Sequence, residues 1–186
     1  SLGADIREGV RVTRVARDGS DWRVETDHGA FLAPRIVNAA GAWADRIAAD
    51  LAEPVPLEVI APMLMITAAM PAFIKPVVIL RKRKLSFKQF GNGTVLIGGG
   101  YLGRAIRDEN RTVLDWGKLA TNAKTVWDLF PIMRGAPILR AWAGIEARVP
   151  DDLPVFGKST RHEGVYHQFG FSAHGFQLGP GAGAVM

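Results

Sequence analysis

Cysteine is absent from all 186 positions of the chain. That excludes, within these residues, a disulfide framework, thiolate zinc sites, iron–sulfur ligation and a cysteine nucleophile. It fits a reducing compartment, and a cytoplasmic location is expected. Long apolar runs are also missing. The richest stretch, 55–79, is interrupted by Glu58, Pro62, Pro71, Lys75 and Pro76, whereas a membrane-spanning helix needs about 18 to 20 uninterrupted apolar residues. Histidine is scarce, and His28, His162, His167 and His174 show no metal-ligand spacing, so no metal is expected. There is no nucleophile elbow and no Ser–His–Asp pattern. The first residues, Ser1-Leu2-Gly3-Ala4-Asp5, lack the cationic and apolar pattern of a signal peptide. With no initiator methionine, and an end at Met186 just after a glycine-rich turn, the chain reads as a piece of a longer protein.

What is present is ordinary for a globular chain. Apolar residues make up 48% and charged residues 22%, which suits one sizeable core or two small ones. The formal net charge is +5, and much of the excess lies in the run Arg81-Lys82-Arg83-Lys84. The run falls between two apolar strand-like segments, without interleaved aromatics or a recognition helix. It therefore reads as a solvated hairpin end in preference to a nucleic-acid patch.

The first third has the texture of a strand meander. Val10, Val12 and Val15 precede the Asp18-Gly19 turn, Trp22–Thr26 alternates, and Asp27-His28-Gly29 turns the chain again. Phe31–Val37 makes a third strand and runs into the small residues Asn38-Ala39-Ala40-Gly41. A helix is expected from Ala42, with Trp43, Ile47 and Leu51 on one face. The middle breaks into short strand candidates, Leu57–Thr67, Val77–Leu80, Leu85–Phe90 and Thr94–Gly98, as in an antiparallel sheet. A long helix is expected over Thr112–Phe130, capped by Thr112, with Trp116, Ala120, Ala123, Trp127 and Phe130 on its packed face. Strands follow at Ile138–Ile145, Leu153–Phe156 and Gly164–Phe169. Gly179-Pro180-Gly181-Ala182-Gly183 then reads as the start of a last helix, because proline suits a first turn.

Three constellations bear on chemistry. Gly98-Gly99-Gly100-Tyr101-Leu102-Gly103 satisfies the dinucleotide pattern G-x-G-x-x-G. The residues after it have no apolar helical face and no βαβ unit follows, so the better reading is a glycine-rich strand passing close to a ligand or another backbone. Asn38-Ala39-Ala40-Gly41-Ala42-Trp43 places small residues where a strand enters a helix. That permits either close approach of a flat or anionic ligand or tight strand–helix packing. The 179–183 segment allows free amides at a helix start, or a simple loop. Among the histidines, His28 and His162 are expected in solvent, and His174, flanked by glycines, is the best placed for a functional imidazole, a purely structural role being the alternative.

Three segments in order carry a resemblance: Val37-Asn38-Ala39-Ala40-Gly41-Ala42-Trp43-Ala44; then Trp142-Ala143-Gly144-Ile145 with Pro150-Asp151-Asp152-Leu153-Pro154-Val155-Phe156-Gly157; and finally 170–181, from Gly170-Phe171-Ser172-Ala173-His174-Gly175 through Gly181. The sequence resembles the D-amino-acid oxidase, glycine oxidase and sarcosine oxidase family of FAD-dependent amine oxidoreductases over nearly its whole length. The resemblance implies an α+β fold: an α/β FAD-binding portion plus a substrate domain with an antiparallel sheet. On that reading 1–52 and 146–186 belong to the FAD-binding domain and 53–145 to the substrate domain. The true pyrophosphate motif and over a hundred residues would precede Ser1, and the present segment alone would be inactive.

Carried over by position, the resemblance implies that Val12 offers its backbone to the adenine. Ala39, Ala40, Gly41 and Trp43 border the cofactor, and His174, Gly175, Phe176 and Gln177 run along the isoalloxazine. The implied reaction is oxidation of the C–N bond of a secondary amine or amino-acid derivative to an imine, with His174, Glu146 and Arg140 as the polar residues at the substrate. Glycine-oxidase-like members carry an arginine where this chain has Glu146. A carboxylate partner would then come from Arg148, Lys88 or an upstream residue, or Glu146 would favour a cationic amine. This pattern looks closer to the flavin subunits of heteromeric dehydrogenases, in which a partner subunit takes the electrons. A flavoprotein-like module that only binds a partner is the alternative reading.

Overall fold

The computed structural model describes residues 3–80 and 82–186. In chain order its elements are β1 (Val12–Asp18), β2 (Asp21–Thr26), β3 (Gly29–Ala33), β4 (Ile36–Asn38), α1 (Ala44–Asp50), β5 (Glu58–Ile60), β6 (Met63–Thr67), β7 (Val78–Leu80), β8 (Leu85–Gln89), β9 (Val95–Gly98), β10 (Arg104–Ile106), β11 (Arg111–Val113), α2 (Trp116–Leu129), β12 (Ile138–Ala143), β13 (Glu146–Arg148), β14 (Val155–Lys158), β15 (Val165–Phe169) and α3 (Gly175–Val185). The chain divides into two compact units, Ser1–Glu58 with Ala147–Met186, and Val59–Glu146. Among the described residues no helix is long and apolar enough to cross a membrane. Arg81 of the basic run lies outside the described residues; Arg83 of the same run ion-pairs with Asp128 at 2.7 Å.

The first unit holds two three-stranded sheets, β1-β2-β3 and β14-β15-β4. The meander β1-β2-β3 is antiparallel, and Gly19 and Gly29 take the positive φ that its tight turns require. In the second sheet β14 pairs antiparallel with β15, but β4 pairs parallel with β15, setting Asn38 opposite His167. Parallel neighbours need a long connection, here everything between 38 and 165. A core of Val15, Trp22, Leu51 and Val165 joins the meander to α1 and β15, with Val24, Ile36 and Ile47 packed on it. Trp22 satisfies its buried indole by donating Nε1–H to the Glu163 carbonyl at 3.0 Å.

The second unit is an antiparallel five-stranded sheet, β12-β6-β9-β8-β7, with the hairpin β10-β11 beside it. Period-2 alternation sends Met63, Met65, Leu85, Phe87, Val95 and Ile97 to one face, where Leu119 and Val126 of α2 and Met133 cover them. Phe87 is fully buried and stacks on Phe130 with ring centroids 4.6 Å apart.

Several sequence expectations change in register. The long helix starts at Trp116, capped by Asp115, whose side chain accepts the Lys118 N–H, and not by Thr112. Thr112 lies in β11 and donates to the Ala143 carbonyl at 3.2 Å. The buried face is Leu119, Asn122, Thr125 and Val126, while Trp116 and Trp127 are exposed. Aromatic periodicity misleads here because a polar residue holds the packed face: the Asn122 amide donates to the carbonyls of Lys84 and Gly98 at 3.1 and 3.2 Å. Leu57–Thr67 is two strands parted at Ala61-Pro62, and the strand from Ile138 ends at Ala143. His162 is half-buried, not fully in solvent. Its Nε2 lies 2.7 Å from the Leu51 carbonyl and its ring meets Trp22 edge-on.

The glycine-rich pattern 98–103 leads from one strand to another, β9 to β10, and not into a helix. A Cβ at Gly99, where φ is +133°, would lie 2.6 Å from the Leu85 backbone, and one at Gly103 would strike the Val113 carbonyl. At Gly99 and Gly103 the neighbour that the glycine admits is backbone.

Candidate functional site

β4 and β15 run side by side, β15 continuing two residues past the end of β4, and from each carboxyl end the chain passes through a short turn into a helix. Ligands in sheets with parallel strands favour this place, outside the carboxyl ends. After β4 come Ala39 and Ala40, a 3-10 turn over Gly41–Trp43, and then α1, two residues later than the sequence suggests. The loop both packs and opens. Ala42, Ala44 and Ala48 are buried in packing, whereas Ala39 and Gly41 are exposed. Gly41 has φ +54° and no atom within 4 Å of where a Cβ would stand. The turn is therefore closed on its inner side and open on its outer side.

After β15 come Gly170, Phe171, Ser172 and Ala173, and Ser172 and Ala173 both have positive φ. That conformation is costly for residues with a Cβ. The Ser172 hydroxyl braces it, donating to the Gly170 carbonyl and accepting the Val149 N–H. The last helix then starts at Gly175, not near Gly179, and Pro180 lies inside it. The free amides expected over 179–183 are instead those of Gly175, Phe176 and Gln177, the first turn after the N-cap His174. Among the described residues no side chain caps this helix start, and no acidic residue stands in its first turn. Three N–H groups and the positive end of the helix dipole are left for an acceptor or an anion.

The sequence-derived site residues thus fall into groups. Ala39, Ala40, Gly41 and Trp43 share the turn after β4, and His174, Gly175, Phe176 and Gln177 share the turn after β15, at the same end of one sheet. Val12 stands apart in the first sheet of this unit, at the irregular start of β1, where the register slips before Arg14. Arg140 and Glu146 belong to the second unit. Arg140 is exposed on β12 with its guanidinium 5.5 Å from the Trp142 ring, and Glu146 is half-buried at the start of β13. Arg148, the substitute carboxylate partner, is engaged by Asp152 at 2.9 Å with Glu58 at 3.8 Å. The hydrogen bond from Arg148 holds the Asp152 carboxyl below the ordinary carboxylate range.

Sequence patterning misses a buried polar network behind the first turn. Asn38, 3% exposed, donates from Nδ2 to the Ala44 carbonyl at 2.9 Å and accepts the Ala40 N–H at 3.3 Å. His167 has Nδ1 3.5 Å from that amide nitrogen and Nε2 3.0 Å from Glu53 Oε2. Ser159 donates to Glu53 Oε1 at 2.9 Å. Burial raises the Glu53 carboxyl, but the hydrogen bonds it accepts from His167 and Ser159 outweigh that, and the net shift is downward. One signal is available in the sequence: in Val165-Tyr166-His167-Gln168-Phe169 the histidine is in phase with Val165 and Phe169, on the inward face. A hollow of about 690 Å³ lined by Arg35, Lys158 and Arg161 opens at the amino ends of β4 and β15. The opposite end has the free amides and open small-residue turns, and is preferred on that chemistry.

The sequence profile of the FAD dependent oxidoreductase family, DAO, matches residues 1–186, the whole chain. The chain belongs to that family. A DAO chain of known sequence, the mitochondrial sarcosine dehydrogenase of Mus musculus, is 28% identical over 198 residues, covering 99% of this chain and 21% of that protein. Glycine oxidase of Pseudomonas putida is 26% identical over 176 residues, covering 94% of this chain and 47% of that protein. Among solved structures, L-proline dehydrogenase from P. horikoshii superposes with a TM-score of 0.87 at 28% identity, over 98% of this chain and 49% of that one. The chain therefore spans between about a fifth and a half of the relatives it matches. The fold is that of the DAO family, which is FAD dependent, and the α+β expectation holds. The residues present suit such a cofactor: the turn after β4 is open at Ala39 and Gly41, and the helix start after β15 has no side-chain cap among the described residues and no acid in its first turn.

Proposed function

We propose that the paired turns at the carboxyl ends of β4 and β15 border the flavin of an oxidoreductase that acts on the C–N bond of a secondary amine or amino-acid derivative. The observation that carries this reading is the parallel β4–β15 pair ending in one open turn and one uncapped helix start. The relatives sarcosine dehydrogenase, glycine oxidase and L-proline dehydrogenase support, by their names, the substrate class. Residues 1–52 and 146–186 then serve the cofactor and 53–145 the substrate.

Bound FAD supplies the acceptor for the hydride that leaves the carbon beside the amine nitrogen, so that an imine forms and later hydrolyses. The chain's own residues bind and polarise. Ala39, Ala40 and Gly41 let a flat ring approach the backbone, with Trp43 beside them, and Val12 offers main-chain groups to the adenine. The amides of Gly175, Phe176 and Gln177 would hold the part of the flavin that gains negative charge, stabilised by the helix start. His174, Glu146 and Arg140 are the polar groups assigned to the substrate, Glu146 favouring a cationic amine.

The test is the visible spectrum of the purified full-length protein before and after anaerobic addition of pooled secondary amines and amino acids. A flavin spectrum that bleaches is expected. A colourless protein, or a yellow one that no amine reduces, refutes the reading.

A further inference from the structure

Asn38 and His167 face each other across the parallel pair β4–β15, and both are buried. Two backbone groups dictate how the Asn38 carboxamide lies. The Ala44 carbonyl can only accept, so the amide nitrogen turns to it; the Ala40 N–H can only donate, so the amide oxygen turns to that. The group offered to His167 Nδ1 is therefore an N–H, and Nδ1 must present its lone pair. The proton of the neutral ring then sits on Nε2, pointing at Glu53 Oε2 3.0 Å away. A proton on Nδ1 would set two donors face to face in a buried site.

Glu53 is itself held. Its N–H donates to the Ala48 carbonyl at the end of α1, and its second oxygen accepts from Ser159. Ser159 Oγ in turn accepts the N–H groups of Arg161 and His162. His167 also faces Gly157 opposite it on β14 and meets the Phe169 ring edge-on at 5.7 Å. The network has one direction, from the end of α1 through the imidazole to the carboxamide that ties Ala40 and Ala44.

We propose that His167, as the Nε2–H tautomer anchored by Glu53, is a positioning residue that locks the Asn38 carboxamide and thereby the shape of the turn over residues 39–43. Its bearing on flavin affinity rests on the function proposed above; the lock itself does not. A carboxamide at position 167 carries one acceptor and one donor, so His167→Gln can preserve the relay, whereas His167→Phe fills the space and has neither group.

The experiment measures the FAD dissociation constant of the full-length protein by flavin fluorescence, together with melting of each variant and ¹⁵N NMR of His167 in the wild type. His167→Phe is expected to weaken FAD binding by roughly tenfold, the equivalent of about one buried hydrogen bond, with a folded protein retained. His167→Gln is expected to recover most of that loss. FAD binding by the Phe variant at wild-type strength, or a Gln variant as weak as the Phe variant, overturns the proposal. Should the Phe variant fail to fold, the NMR spectrum decides: a protonated Nε2 with a bare Nδ1 supports the lock, and a protonated Nδ1 overturns it. If the wild type binds no FAD, the functional reading fails, and the His167 tautomer still decides the lock.

Discussion

Glycines 98, 100 and 103 are the ones a dinucleotide fingerprint needs, and Gly99 is one of its free positions. The structure reverses this. At Gly100, φ is +82° and nothing lies within 4 Å of where a Cβ would stand, whereas at Gly99, φ is +133° and a Cβ would lie 2.6 Å from Leu85 N and Cα and from the Lys84 carbonyl carbon. Those are backbone atoms of β8 and its lead-in, so relief requires strands to move apart. Gly99→Ala should cost about 1–3 kcal/mol in backbone strain and about 1–3 kcal/mol in overpacking. Gly100→Ala should cost the strain alone, about 1–2 kcal/mol. For a chain of this size each kcal/mol lowers Tm by about 2–4 °C. Urea denaturation at constant m, with thermal melting as a second probe, gives both values. Equal losses for the two variants, or a larger loss at Gly100, would refute the assignment of this segment to backbone packing.

Other outcomes follow from the same structure. Because the folded pKa of Glu53 is depressed, its contribution is present above the unfolded value near 4.5 and is lost as pH falls through the lower folded value. Glu53→Gln should therefore cost roughly 1–3 kcal/mol at pH 7 and flatten the acid limb of stability against pH; an unchanged acid slope counts against the pairing with His167. Phe87→Ala should cost about 3–5 kcal/mol, since the ring is fully buried and stacked on Phe130, and a urea midpoint close to wild type would show that the second unit does not depend on this core. Glu146→Arg should shift substrate preference toward carboxylates, read as KM for free amino acids against amines; an unaltered preference argues against its place at the substrate.

Much of the architecture is readable because it depends on local rules. Alternation places Met63, Met65, Leu85, Phe87, Val95 and Ile97 on strands, and the turns at Asp18-Gly19 and Asp27-His28-Gly29 are legible because glycine there takes a positive φ. Ordered motifs, each short, point to the family because together they span nearly the whole chain. The face of α2 is not readable: Trp116 and Trp127 carry the strongest apolar signal, yet Asn122 is the buried residue, since only the sheet presents it with two carbonyls. The start of α3 is misplaced for a similar reason. Pro180 is a local signal for a first turn, but the strained pair Ser172 and Ala173, braced through Val149, launches the helix at Gly175.

Period, turn chemistry and composition are properties of neighbouring residues, and they suffice for the strands, the absence of thiolate chemistry and the family. Which residues meet across long separations is a matter of the folded chain. Asn38 and His167 are 129 positions apart, and His167 and Glu53 114; their partnership exists only because β4 and β15 pair in parallel. No local propensity records that pairing, because the free energy that favours it comes from burying the two strands together and from closing a hydrogen-bond network that neither segment contains alone.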